Sequence, residues 1–156
     1  MRKNSGFTAF ELAVSLAIMA IIAALVLPPY LHWLRGHRLR GAVTNLMADL
    51  EMAKIRAIRE NSLVAVQFCQ DSYTIFNENG DTNYTCTTIG REVYRSRKLP
   101  SGVEIDLGSL TFADNRTRFN GRGLPDGITA VQTIPVKNNT SGQEISLNRL
   151  GYMTVQ

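Results

Sequence analysis

From Phe7 to Leu27 the chain reads FTAFELAVSLAIMAIIAALVL, an apolar run whose one charge is Glu11, whereas beyond Arg35 the sequence is polar and mixed. Twenty-one residues at about 1.5 Å each make roughly 31 Å of helix, enough to cross a hydrocarbon core of about 30 Å. The pattern predicts a membrane-spanning or filament-core segment over residues 7–29, followed by an exported head. Pro28 and Pro29 lack backbone donors and predict a kink or interruption, which a membrane boundary tolerates. Helical spacing then resumes. Leu39, Ala42, Val43, Leu46, Leu50, Ala53, Ala57 and Ile58 fall on one face, with Asp49, Glu51, Arg56, Arg59 and Glu60 mostly opposite, so residues 30–61 are expected to form an amphipathic helix with a buried stripe. Gly36 and Gly41 weaken it by about 1 kcal/mol each relative to Ala.

After Asn61-Ser62 the period changes to two. Leu63, Ala65 and Gln67 alternate with Val64, Val66 and Phe68, and Tyr73 to Phe76 follow the turn residues Asp71-Ser72, predicting a hairpin. Asn79-Gly80-Asp81 supplies turn chemistry before Tyr84 to Thr88. Further short strands are expected at Val93-Tyr94, Val103 to Leu107, Leu110 to Phe112, Thr129 to Thr133, Glu144 to Leu147 and Tyr152 to Val155. The fold class that results is α+β: a long N-terminal helix whose second half packs on a β-rich head over residues 62–156.

The start of the chain decides how the apolar run is used. A basic MRK before an apolar stretch suggests a secretory signal, but an ordinary signal carries its small-residue cleavage site after the run, and here the run ends in Leu27-Pro28-Pro29-Tyr30. The polar-to-apolar junction falls instead at Ser5-Gly6-Phe7, so cleavage there would leave the apolar segment on the mature protein. Arg2 and Lys3 favour a cytoplasmic N-terminus, with Arg35, Arg38 and Arg40 beyond the segment weakening that bias. Glu11, one turn into the run, is costly as an unpaired carboxylate in hydrocarbon. It either snorkels to the interface or meets a cation, and the α-amino group released by cleavage before Phe7 is one such cation.

Gly6-Phe7-Thr8-Ala9-Phe10-Glu11-Leu12, ahead of an apolar helix with Pro28 near its end, resembles the prepilin signature of type IV pilins and type II secretion pseudopilins. Ala9 and Phe10 depart from the commoner Leu-Ile or Leu-Val but stay apolar. The resemblance implies a leader over residues 1–6, cut after Gly6 by a prepilin peptidase that also methylates Phe7, and a role for Glu11 in packing against a neighbouring subunit. Asp49 to Arg59 leading into Leu63-Val64-Ala65-Val66, together with Phe119-Asn120-Gly121-Arg122-Gly123-Leu124-Pro125, Ile145-Ser146-Leu147 and Gly151-Tyr152-Met153, is similar to the GspH/FimT group of minor pilins and pseudopilins. It implies a minor subunit that initiates, primes or caps a type IV pilus or a secretion pseudopilus. Its partners would be the peptidase, other pilin or pseudopilin subunits and the bacterial inner membrane, with the head exported.

Composition adds limits. The net charge of +4 falls to +2 once a leader holding Arg2 and Lys3 is removed, which does not require a polyanion-binding surface. The two histidines, His32 and His37, stand roughly 140° apart on a helix, poor for joint metal binding. The head therefore has no histidine base for a Ser or Cys nucleophile. Glu104 and Asp106 alternate on one predicted strand, a pattern commoner as a solvated edge than as an acid/base pair. Gly121-Arg122-Gly123 lacks the lysine of a phosphate loop. No catalytic residue, metal or cofactor is expected. Cys69 and Cys86 form an even pair in a chain that looks exported, and are candidates for a disulfide or for two reduced thiols. Arg116, Arg118 and Arg122 form the candidate DNA contact, since the first two share a face if the stretch is a strand and the glycines would fold Arg122 beside them. A DNA-binding minor pilin, or a pseudopilin that contacts exported substrates, is the alternative reading.

Overall fold

The computed structural model describes residues 8–78, 86 and 93–156. Gly6, Phe7, the Asn79-Gly80-Asp81 turn and nearly all of the expected Tyr84 to Thr88 strand lie outside the described residues. The chain divides into two compact units, one ending at Arg35 and the other spanning Gly36–Gln156.

Helix α1 runs over Ala9–Glu60 with Pro28 and Pro29 inside it. The expected interruption does not occur. Each proline forfeits one hydrogen bond, but its fixed φ of about −65° is itself helical, so the turns on either side keep their geometry. Thr8 starts the helix as its N-cap, and the capping box with Glu11 is described below. At the other end Asn61 takes a φ of 45°. Its N–H bonds to the Ile58 carbonyl at 3.3 Å, and the Ser62 N–H to the Ala57 carbonyl at 3.2 Å. This pairing of the two residues past the helix with its last turn is a Schellman closure with Asn in the usual glycine position.

No described residue before Leu39 is buried. From Leu39 onward the predicted stripe closes: Leu39, Ala42, Val43, Leu46, Leu50, Ala53 and Ala57 are buried, whereas Ile58, expected on the same stripe, is about half exposed. Asp49, expected on the polar face, is buried.

Among the described residues the head holds two four-stranded antiparallel sheets. The first comprises β1 (Val64–Phe68), β2 (Ser72–Asn77), β3 (Val93–Lys98) and β5 (Arg116–Phe119) in the order β3-β2-β1-β5. The second comprises β4 (Val103–Ile105), β6 (Gln132–Asn138), β7 (Gly142–Leu147) and β8 (Met153–Val155) in the order β4-β6-β7-β8. The β1–β2 hairpin and the C-terminal pair match the period-two reading. Four expectations change: the strand expected over Val103 to Leu107 ends at Ile105, and the one at Val93-Tyr94 continues to Lys98. Leu110 to Phe112 is not a strand; Phe112 is buried from a loop, its ring 5.8 Å from that of Phe68. The strand expected at Thr129 to Thr133 starts later and runs through Pro135 to Asn138.

Val64, Val66, Phe68, Tyr73, Ile75 and Phe119 from the first sheet meet Ile134, Val136, Ile145 and Leu147 from the second around the α1 stripe, forming one core. Strand β1 is buried on both faces. Its second face carries Ala65, which packs with Phe76 and Val93, and Gln67, which enters the polar network described next.

Candidate functional site

The sequence-predicted residues fall into three separate places. At the helix start, the Glu11 N–H donates to Thr8 Oγ1 at 3.2 Å, while Glu11 Oε2 accepts from the Thr8 N–H at 3.4 Å and the Thr8 hydroxyl at 3.3 Å. This is a capping box, legible as Thr-x-x-Glu but not anticipated. It orients the carboxylate without neutralising it. Among the described residues Glu11 has no cationic partner, and its surroundings are the exposed apolar side chains of the first helical turns.

Cys69 and Cys86 are joined by a disulfide with a Cα separation of 5.7 Å. The bridge ties the residue after β1 to a position 17 residues on. The Cys69 N–H also bonds to the Ser72 carbonyl at 2.9 Å, which closes the β1–β2 turn beside it.

Of the three arginines of the candidate DNA contact, Arg116 is buried, Arg118 is half-buried and Arg122 is exposed. Arg116 and Arg118 do share a face of β5, but that face is turned toward Glu78, whose side chain is 3% exposed. Arg116 pairs with Glu78 Oε1 at 2.8 Å and donates from Nε to Gln67 Oε1 at 2.9 Å, and its own side chain is 4% exposed. Arg118 pairs with Glu78 Oε2 at 2.5 Å. Register explains the arrangement, because Gln67 lies opposite Arg116 and Ala65 opposite Arg118. Both guanidinium groups serve a buried carboxylate that would otherwise be strongly unfavourable there. Arg122 is exposed on its turn.

A second buried carboxylate escaped sequence reasoning. Asp49 Oδ1 accepts from Arg95 at 2.6 Å, and Oδ2 accepts from Arg97 Nε at 2.9 Å and from the Tyr73 hydroxyl at 2.7 Å. Arg95 and Arg97 alternate on β3 and so present to one face, opposite Ile75 and Tyr73 of β2. The network pins α1 to the β2–β3 pair. Burial, followed by the hydrogen bond to Asp49, pushes the Tyr73 hydroxyl well above the ordinary tyrosine range. The signals available in sequence were the Arg95-Ser96-Arg97 alternation and, 46 residues before it, a lone Asp inside an apolar stripe.

Among the described residues, the other clustered polar groups form an ion-pair network. Lys137 Nζ bonds to Asp106 Oδ2 at 2.7 Å and approaches Glu104 at 3.8 Å, while Gln70 donates to Glu104 at 2.9 Å, around a cavity of about 220 Å³. The Lys137 hydrogen bond holds the Asp106 carboxyl below its ordinary range, and Asp106 in turn raises Lys137. An acid with a lowered pKa beside its own cation is an ion pair, not a proton donor near neutrality. His32 and His37 are exposed. Among the described residues no group of three or more His, Cys, Asp or Glu could hold a metal ion.

The glycines of the later motifs are packing devices. A Cβ on Gly121 would fall 2.4 Å from Asn61 Oδ1, and one on Gly123, whose φ is +73°, would fall 2.7 Å from Ile58 Cδ1. The loop after β5 thus sits directly on the end of α1, which the Schellman closure holds in place.

Residues 42–151 match the family described as Type II transport protein GspH. No curated protein sequence matches significantly. Among solved structures, the type IV minor pilin FimU of Pseudomonas aeruginosa superposes with a TM-score of 0.59 at 15% identity, covering 77% of this chain and 89% of that one. The minor pseudopilin EpsH from the Type 2 Secretion System of Vibrio cholerae does so with a TM-score of 0.56 at 10% identity, covering 76% and 96%. At those identities the likeness is one of fold, a pilin-like helix on a β head. The family match reaches from the buried stripe of α1 through all the strands up to the turn before β8, well over half of the sequence, and on that extent the chain belongs to the GspH family.

Proposed function

We propose that this chain is a minor subunit of a type IV pilus or type II secretion pseudopilus, acting in filament initiation, priming or tip assembly. One observation carries the reading: a single helix joins an exposed apolar segment, holding one carboxylate without a cationic partner among the described residues, to a stripe that forms the core of a GspH-family head. An apolar surface of that length needs a bilayer before assembly and neighbouring helices after it. In this reading a prepilin peptidase cuts between Gly6 and Phe7 and methylates Phe7. The N-terminus stays in the cytoplasm, the head is exported from the inner membrane, and Glu11 meets the new α-amino group of Phe7 on its own or a neighbouring chain. The oxidising side of the membrane then suits the Cys69–Cys86 bridge.

Mass spectrometry of the mature N-terminus tests the reading. The expected product begins at methylated Phe7; a chain still starting at Met1, or cut after Pro28, removes it. Deleting the gene is expected to lower surface pili or type II secretion, and the assay that responds identifies the machine. Unchanged levels of both would sink the proposal.

A further inference from the structure

Where α1 ends, the head leaves apolar side chains in water. Leu150 and Tyr152 are 66% and 67% exposed, Ile55 and Ile58 about half exposed, and Leu124 37% exposed. The backbone brings these positions together. Gly123 approaches Ile58 as described, a Cβ on Gly151 would lie 3.0 Å from the Gly123 carbonyl, and Lys54 Nζ donates to the Gly151 carbonyl at 3.0 Å. Leu124 follows Gly123, and Leu150 and Tyr152 flank Gly151.

Both turns are rigidly built. Asn120 Oδ1 accepts from the N–H groups of Arg122 and Leu124, and Asn148 Oδ1 accepts from those of Leu150 and Tyr152. Three exposed arginines edge this apolar surface: Arg59, one turn beyond Ile55; Arg122, between the two glycines; and Arg149, next to Leu150. Every arginine that meets a carboxylate in the head does so elsewhere, and among the described residues these three guanidinium groups have no acidic partner. Lys54, by contrast, is already paired with Glu51 at 3.7 Å.

We propose that this arginine-rimmed apolar face docks a different pilin-like subunit through an aliphatic surface edged with carboxylates. The proposal rests on the filament reading and adds to it the face and the chemistry of the partner. Charge decides against a second copy of the same chain meeting it about a twofold axis, because that geometry brings arginine rims together. The centre decides against nucleic acid. Phosphates would satisfy the guanidinium groups but offer nothing for four aliphatic side chains to bury against.

The full-length chain carrying p-benzoylphenylalanine at position 58, expressed with its native partners and irradiated in cells, provides the test, with the same group at the exposed Val131 as a control. The expected product joins position 58 to another pilin-like subunit on a peptide containing Asp or Glu. Arg59→Glu, Arg122→Glu and Arg149→Glu together should lower its yield roughly tenfold, as three rim pairs turn from attractive to repulsive. Lysine in place of the partner's carboxylates should restore the yield. Tyr152→Asp, which leaves the arginines in place, should lower it as well. Retention of the disulfide and of the thermal unfolding midpoint verifies that each variant folds. Cross-links to lipid, to nucleic acid or solely to a second copy of the chain overturn the proposal, as does a yield indifferent to the triple reversal. Co-fractionation with other subunits is followed in parallel. A chain that co-fractionates but fails these criteria loses this docking face alone, whereas one that never co-fractionates loses the filament reading too.

Discussion

Helix α1 carries two carboxylates in apolar settings, and their fates differ. Asp49 lies in the buried stripe and receives three donors from the head, two of them guanidinium groups. Glu11 lies in the exposed apolar segment and, among the described residues, receives donors only from Thr8 in its own first turn. Both positions break the apolar pattern, yet one break is resolved inside the head and the other is left for something outside it. A carboxylate supplied with internal cations serves folding. One held in place by a capping box but given no cation among the described residues is suited to recognition, because its cost falls only when a partner brings the cation. The two residues therefore make a matched pair for mutation, one expected to act on stability and the other on assembly.

Glu78 extends the comparison and is expected to give the largest effect. Replacing Arg116 by Ala removes the guanidinium that touches both Glu78 and Gln67, leaving a buried carboxylate to Arg118 alone. The loss should be about 3–5 kcal/mol, the scale of breaking a buried pair from one side. Thermal denaturation of the full-length protein in detergent should register it as a much lower midpoint. A loss below about 1 kcal/mol would mean that the pair behaves as a surface ion pair. The same result bears on DNA: a variant lacking Arg116 would weaken binding through misfolding, so Arg122→Ala is the cleaner substitution for that question.

Asp49→Ala comes next, at about 2–3 kcal/mol. It should cost less than the Arg116 change because Arg95 and Arg97 are 46% and 37% exposed and can return to water. The Tyr73 hydroxyl cannot, and becomes a buried donor without its acceptor. Equal stability of the variant and the parent in urea would show that α1 is held to β2 and β3 by apolar packing alone.

How much of this was legible in the sequence depended on the range of the interaction. The apolar anchor, the stripe from Leu39 to Ala57 and the β1–β2 hairpin follow from periodicities of 3.6 and 2, which are local. The Thr8–Glu11 box was equally local and could have been read. The roles of Arg116 and Arg118 were not accessible, because alternation reveals that they share a face but not that Glu78, 38 residues before Arg116, occupies it. The β1–β2 pairing, which seats Glu78 beside Leu63, and the β1–β5 register together supply that fact. Asp49 looked polar and was assigned outward because its cations arrive from β3. Pro135 disguised β6, since a residue without an N–H usually marks an edge or an end. Here its carbonyl still accepts from the Asp106 N–H at 2.9 Å, so the strand continues.

Tyr73→Phe should have a smaller effect, about 1 kcal/mol near neutrality for one hydrogen bond, and a distinctive pH signature. An unfolded tyrosine ionises near pH 10, and the folded Tyr73 is pushed higher, by burial first and then by Asp49. The folded chain holds this proton more tightly than the unfolded one. The associated stability is therefore complete below about pH 10 and declines as pH rises above it toward the folded pKa. Stability measured from pH 8 to 12 should fall less steeply in the Phe variant. Parallel curves would place the alkaline sensitivity at another group.

Glu11→Ala is expected to change head stability least, and that near-zero value is what gives the comparison its force. Glu11 precedes the first buried residue of α1 by 28 positions, and among the described residues its carboxylate accepts only from Thr8. The midpoint of the Cys69–Cys86-bridged head should match the parent, and insertion into the membrane should be retained or improved, since removing a charge makes the apolar segment easier to insert. Incorporation into filaments should nevertheless fall, because the docking subunit loses the carboxylate proposed to neutralise a newly exposed amine. Glu11→Gln separates this from the loss of the capping box. The amide oxygen can still accept from the Thr8 N–H and restore the helix start, but it carries no charge. If assembly fails with Gln as it does with Ala, the charge is the functional property. Should Gln assemble normally while Ala does not, the capping box is what matters, and Glu11 would join Asp49 as a residue that serves the fold.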